Sequence, residues 1–426
     1  MRTFYPLEIE DVKSFKRKLL EVSRDFSYSC FLESNNYPSY PYTTFGNLIA
    51  LDAVAVFKAD ELGGLQQFID RQQDWLFGYI SYDLKNDIEA GLFSGNADGI
   101  QAPLLQFFVP KYLIKIENDQ VEIGVCNNRD LDEFNKLVSQ QAIRNKQYAT
   151  SNTKTLNRFS KKNYLIAVEE IRQHILRGDI YELNFCQEWY AGDCVIDTVT
   201  VFEKLNEISK APFTSYLRCD EHYLLCASPE RFLKKQKNKL ISQPIKGTRK
   251  RSGDAQADAR LRAELLQQEK ERSENVMIVD LVRNDLSRIA EKNSVEVEEL
   301  FGIYTFEQVH QMISTITATI DEDVSFTEII KAVFPMGSMT GAPKVSAMKL
   351  IEQYEKTRRG IFSGTVGYIT PKGNFDFNVV IRSVLYNSKN KYVSVQAGSA
   401  ITYDCSPEEE YEECLLKAKA MLKALE

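Results

Sequence analysis

The stretch 364-GTVGYITPKGNFDFNVVIRSVLY-386 contains two β-rich runs, 364–370 and 376–386, joined by Pro371-Lys372-Gly373-Asn374. A parallel pair needs a crossover of a dozen or more residues, so a connection this short implies antiparallel pairing. Gly and Asn supply the backbone freedom that such a turn needs. Working outward, further strands are predicted at 180–189, 214–219, 223–227, 239–245, 311–320 and 391–397. In the first third of the chain, 48–51, 53–57, 75–82 and 105–110 have the same character. Helices are interspersed. Tyr164 to Leu176 is amphipathic and closed by Arg177-Gly178-Asp179, and a long helical region, broken or not, runs over about 257–288. Ser406-Pro407-Glu408-Glu409 is a helix start, with Ser at the N-cap, Pro at the first helical position and Glu at the third. Short connections between strands, with helices between groups of them, predict an α+β fold: antiparallel sheets with helices packed outside. A polar stretch over about 145–162 reads as a linker. It divides the chain into an N-terminal region, 1–150, and a larger domain, 158–426.

Composition narrows the function. With 43% hydrophobic and 27% charged residues, the chain has the balance of a soluble globular protein. No apolar run reaches the roughly 18 residues of a membrane span. The N-terminus lacks the apolar core of a secretion signal, so a cytoplasmic location and free thiols are expected for the eight scattered cysteines. No C-x-x-C pair occurs, and three histidines leave little material for His-based chemistry. A net charge of -7 argues against a nucleic-acid partner.

Several segments have the makings of a site. In Gln243-Pro244-Ile245-Lys246-Gly247-Thr248-Arg249 a lysine lies between a stiff Pro-Ile and a Gly that permits a sharp turn. It is either a surface lysine or a fixed, desolvated nucleophile. Glu230, in Ser228-Pro229-Glu230-Arg231-Phe232, follows an apolar strand and is either half of a surface pair or a general acid. Glu271 and Glu274 share a helix face. On the C-terminal helix, Glu413 lies opposite the apolar stripe, so periodicity alone makes it solvated. The alternative is that glutamates from two distant helices converge on a hard cation such as Mg²⁺. Phe334 to Lys344, rich in Gly and hydroxyls, leads into a helix and reads as an anion site or a plain capping loop. Gln396-Ala397-Gly398-Ser399-Ala400 closes a strand beside Arg382, and suits either a carboxylate or a β-bulge with a surface arginine.

Taken together, SPERF (228–232), PIKGTR (244–249), SENVMIVDLVRNDLSRI (273–289), FPMGSMTGAPK (334–344), FSGTVGYI (362–369), VVIRS (379–383) and EYEEC (410–414) resemble the chorismate-utilising enzymes. These include the first components of anthranilate synthase and aminodeoxychorismate synthase, together with isochorismate and salicylate synthases. The resemblance is collinear from about residue 160 to the C-terminus, and Phe31-Leu32-Glu33-Ser34 is similar to an N-terminal element of the family. It implies the anthranilate synthase component I-like fold, a sandwich of large antiparallel sheets. The lysine at 246 is the form seen in aminodeoxychorismate synthases, where anthranilate synthases have alanine. Isochorismate and salicylate synthases have a base lysine where this chain has Glu182.

By the same resemblance, Lys246 is the nucleophile, Glu230 the general acid, and Glu274 and Glu413 the ligands of Mg²⁺. Gly247 and Thr248 would bind the ring carboxylate, and Arg382 and Gly398 the enolpyruvyl carboxylate. A separate glutamine amidotransferase subunit would supply ammonia. Departures from the family are Glu182 in place of Gln, Phe362 in place of a tyrosine, Gln311 in place of a histidine, and Ser399-Ala400 in place of glycines, which would narrow the pocket. Two alternatives remain: anthranilate synthase component I, and a catalytically silent subunit that binds an amidotransferase.

Overall fold

The computed structural model describes residues 2–37, 40–140, 150–151 and 153–426. The hairpin around Pro371 is present. Thr365–Ile369 and Phe375–Asn378 pair antiparallel with Gly367 opposite Phe377, and Thr370 and Asn374 close the turn. The run expected over 376–386 is not one strand. It stops at Asn378 and restarts as Ser383–Asn387. Between them Arg382 adopts φ +52°, a left-handed conformation that a continuous strand excludes.

Every pairing between strands is antiparallel. The strands form two arms that share Leu105–Glu117, which pairs along its length with Asn47–Ala59. The first arm continues through Tyr28–Glu33, Phe213–Cys219, His222–Ser228, Ser383–Asn387 and Tyr392–Ile401 to Glu182–Ala191. The second runs through Leu76–Ile80, Thr365–Ile369, Phe375–Asn378, Arg231–Gln236 and Lys239–Gln243 to Val309–Thr319. Glu296–Thr305 and Ile245–Lys250 both pair with that last strand. Strands from before residue 150 and after residue 158 are thus neighbours in both arms.

Alternation along the strands divides the interior. Leu224 and Cys226 face one core, which also holds Phe77, Phe107, Ile313 and Phe377. Leu225 and Ala227 face a second, built against the helices Val12–Val22, Lys161–Arg177, Thr198–Ser209 and Pro407–Leu425. This period-2 division buries both faces of the first arm.

The helix predicted from Tyr164 starts at Lys161, capped by Ser160. The expected linker therefore ends sooner than predicted, and Leu156–Asn157 already pairs with Tyr190 and Trp189. Residues 145–149 and 152 of that linker lie outside the described residues. The long helical region is two helices, Ala255–Gln267 and Glu269–Ser287, broken at Gln268, which adopts an extended conformation. The Ser406 cap holds, accepting from the Glu409 amide. Among the described residues no helix is long and apolar enough to cross a membrane.

Candidate active site

Pro244 has no N–H to give, and it separates Lys239–Gln243 from Ile245–Lys250. The register of the second strand then slips. Ile245 stands opposite Ile313 but Thr248 opposite Gln311, so Lys246 and Gly247 form a β-bulge rather than the sharp turn expected. Gly247 has φ +91°, and a Cβ there would come within 3.1–3.2 Å of the Glu271 carboxylate and Leu265. The bulge turns Lys246 inward: its side chain is 12% exposed and its Nζ lies 3.7 Å from Glu274 Oε2. Burial lowers the lysine's pKa, but Glu182, Glu274, Glu413 and Glu230 together outweigh that, and the net shift is upward. Lys246 therefore rests as a cation.

Glu230 lies where the chain passes from His222–Ser228 in the first arm to Arg231–Gln236 in the second. Its amide donates to Ser228 Oγ and its carbonyl accepts from the Val379 amide, so both backbone groups are fixed. The side chain is buried. Burial pushes its pKa up to about 7, with the Ser338 hydroxyl and Lys246 pulling against that rise. A carboxyl that holds its proton near neutrality is a general acid.

The helices Glu269–Ser287 and Pro407–Leu425 bring acids to the same place. Glu274 and Glu413 both act on the charge of Lys246. Glu413 is exposed, as periodicity suggests, and pairs with Lys417 at 2.6 Å. Lys270 bridges the helices, 4.0 Å from Glu274 and 3.6 Å from the buried Glu410. Glu274 and Glu413 thus present carboxylates from two different helices, each beside a lysine. Among the described residues no three His, Cys, Asp or Glu side chains form a cage for an ion. Such a pair fits Mg²⁺, which commonly takes one or two carboxylates and fills its other positions with waters and substrate oxygens.

Gly398 lies in the first arm, and Arg382 in the connection that enters it from the second. Arg382 donates to the Lys417 carbonyl at 3.1 Å, and its charge is felt by Glu413. Gly398 sits in an unbroken strand that pairs regularly with Cys186, so the bulge alternative is excluded. A Cβ on Gly398 would meet Cys186 Sγ at 2.4 Å and the Phe185 carbonyl at 2.6 Å. Thr248 is exposed.

Sequence reading missed Lys417, whose Nζ donates to the Gly398 carbonyl and pairs with Glu413. Its place four residues after Glu413 on a helix was the available signal. Ser338 was quoted without a role. Its Oγ is buried and makes no hydrogen bond. Of the departures, Glu182 is buried with an unpartnered Oε2, and burial raises its pKa. Ser399 is buried and faces Tyr164 and Cys414.

The site can be set beside known proteins. The family model described as chorismate binding enzyme matches residues 29–423. Aminodeoxychorismate synthase component 1 of Escherichia coli is 31% identical over 420 residues, covering 94% of this chain and 91% of that protein. Anthranilate synthase component 1 of Aquifex aeolicus is 36% identical over 271 residues, 63% of this chain and 54% of that one. The crystal structure of anthranilate synthase component I from Streptococcus pneumoniae superposes with a TM-score of 0.78 at 23% identity, covering 91% of this chain and 94% of that one. At that identity it supports the fold, which is the anthranilate synthase component I-like α+β fold. Sequence, fold and site agree, and the chain belongs to the chorismate-binding enzyme family, whose members act on chorismate.

Proposed function

We propose that the chain is an aminodeoxychorismate synthase component I, forming 4-amino-4-deoxychorismate from chorismate and ammonia in the cytoplasm. The observation that carries this reading is the bulge at Lys246, which turns its amine inward to Glu274, with Glu230, a carboxyl of pKa about 7, among the acids that act on its charge. Once Lys246 has shed its proton, its Nζ attacks C2 of the ring. The ring double bonds shift and the C4–O bond breaks. Glu230 donates its proton to the departing oxygen, which leaves as water. Ammonia then adds at C4, the double bonds shift back, and the C2–N bond to Lys246 breaks, restoring the free amine. Chorismate and ammonia thus give aminodeoxychorismate and water.

The substrate is a dianion, so its two carboxylates need fixed positive charge and oriented N–H groups. Arg382 and the strand at Gly398 suit the enolpyruvyl carboxylate, and the amides of Gly247 and Thr248 the ring carboxylate. Glu274 and Glu413 would hold Mg²⁺, which when bound supplies the charge that neutralises the ring carboxylate. Ammonia would come from a glutamine amidotransferase subunit, and the "component 1" names of the relatives support a second component.

The protein supplied with chorismate, Mg²⁺ and ammonium is expected to release aminodeoxychorismate. Anthranilate as the sole product would replace this reading with the anthranilate synthase one. Lys246→Ala is expected to lower turnover by about three orders of magnitude or more, as loss of a nucleophile does. Chorismate binding, read by thermal shift, should persist.

A further inference from the structure

A second buried lysine lies outside this chemistry. Lys344 opens the helix Lys344–Tyr354, and Asp285 sits in the last turn of Glu269–Ser287. Helix dipoles disfavour both placements, since a cation is unfavourable at a helix N-terminus and an anion at a C-terminus. Both side chains are nonetheless buried, and Lys344 Nζ donates to Asp285 Oδ2 at 2.5 Å. An apolar pair of similar volume would often hold two helices as well as a buried ion pair does, so packing alone gives little reason for this one. The other contacts of the lysine supply a reason: its Nζ also donates to the carbonyls of Pro335 at 2.8 Å and Val333 at 3.3 Å. These carbonyls lie at the start of the segment 334–343, whose Gly341–Ala342 pairs with Leu183 and Glu182.

That segment is held along its length by its carbonyls. The Asn184 amide donates to Thr340 O at 2.8 Å and the Asn184 side chain to Ser338 O at 3.3 Å. The buried Arg359 donates to Met339 O, and the Tyr181 amide to Ala342 O at 2.7 Å. At its end Gly341 has φ +156°, and a Cβ there would meet the Glu182 carbonyl at 2.2 Å. Near its start, a Cβ on Gly337 would meet Leu281, on the helix that also carries Asp285 and Glu274. The segment therefore pairs with Glu182 at one end and packs against the helix of Glu274 near the other.

We propose that Lys344 is a positioning residue of the active site: with Asp285 it clamps the 334–343 segment, which pairs with Glu182, to the helix bearing Glu274, fixing the strand of Glu182 and the helix of Glu274 relative to each other. It touches no substrate. The inference takes only its readout from the proposed amination, since it concerns the rate at which chorismate is consumed.

The test compares Lys344→Met, Asp285→Asn, the double variant Lys344→Met/Asp285→Leu, and Lys344→Arg. Each is read by thermal unfolding, by kcat and KM for chorismate consumption with ammonium, and by the pH profile. Each single change leaves a buried group without its partner and lowers the unfolding temperature. The double variant removes both charges and should regain most of that loss. Its kcat is nevertheless expected to stay about tenfold or more below the wild type, with KM changed less than about threefold, the pattern of an interaction realised in the transition state. The pH at which its activity declines should also shift, and Lys344→Arg should recover part of kcat. A double variant with kcat within twofold of the wild type and an unchanged pH profile would reduce the pair to a structural contact. Should the double variant not fold, Asp285→Asn decides by the same split between kcat and KM. Product identity in the wild type tests the amination itself, so failure of that reading is seen separately.

Discussion

At Glu230 the decisive quantity is a proton. Burial holds this carboxyl neutral up to about pH 7, against an ordinary value of 4.5. As a general acid it must keep its proton, so kcat/KM is expected to decline as pH rises through about 7. Glu230→Gln should cost on the order of 10²–10⁴-fold in turnover and abolish that limb of the profile. Stability follows the same proton. Between pH 4.5 and about 7 the folded state holds a proton that the unfolded state has released, so stability falls as pH rises across that window. The loss attributable to this one group is about 3 kcal/mol. Chemical denaturation at pH 5 and pH 8 should show a smaller difference for Glu230→Gln than for the wild type. The motif around Glu230 was legible in the sequence, but its burial was not. Ser-Pro-Glu-Arg suits a surface pair equally well, whereas in the structure Arg231 turns away to pair with the buried Asp376 at 2.9 Å.

At the scale of the element, one extra residue does the positioning. The bulge at Lys246 and Gly247 departs from regular alternation and so turns the lysine inward. Gly247→Ala would require a β-carbon at φ +91° and push on Leu265 and Glu271. The expected result is a loss of about 1–2 kcal/mol in stability and a raised KM for chorismate, measured by urea denaturation and steady-state kinetics. Most elements were readable because their signals are local, as at the Pro371–Asn374 turn and the Ser406 cap, whereas the break at Gln268 in the long helical region was left open. The bulge was read as a turn because Pro and Gly flank it, and only pairing with Val309–Thr319 shows that the strand continues. The interruption at 379–382 was unreadable for a similar reason. Val379, Val380 and Ile381 have strand-like side chains, yet tertiary contacts hold Arg382 in a left-handed conformation.

At the scale of the whole molecule, Glu230 stands where the chain crosses between the two arms of strands, and two helices bring further acids to Lys246. Charge is the main feature of this region. Glu182, Glu230, Glu271, Glu274, Glu410 and Glu413 gather round Lys246, Lys270 and Lys417. Excess negative charge in a site for a dianionic substrate requires an added cation. With both Mg²⁺ and chorismate present the unfolding temperature should rise well above that with either alone. At about a hundred times the dissociation constant, a ligand adds roughly 2.7 kcal/mol. Chelation of the metal should abolish both the synergy and turnover. A thermal shift with chorismate that is indifferent to chelator would remove the metal from the site.

The sequence by itself determined the antiparallel α+β class, because short turns and alternating strands are local patterns. Its motifs also named the residues of the candidate site. The tertiary structure alone decided how those residues act. Burial gives Glu230 its high pKa, a register slip turns Lys246 inward, and helix packing brings Glu413 within reach of the Lys246 charge. Proton affinity and direction depend on what surrounds a side chain, and those neighbours come from separate elements of the chain, from Glu182 to Glu413 around Lys246.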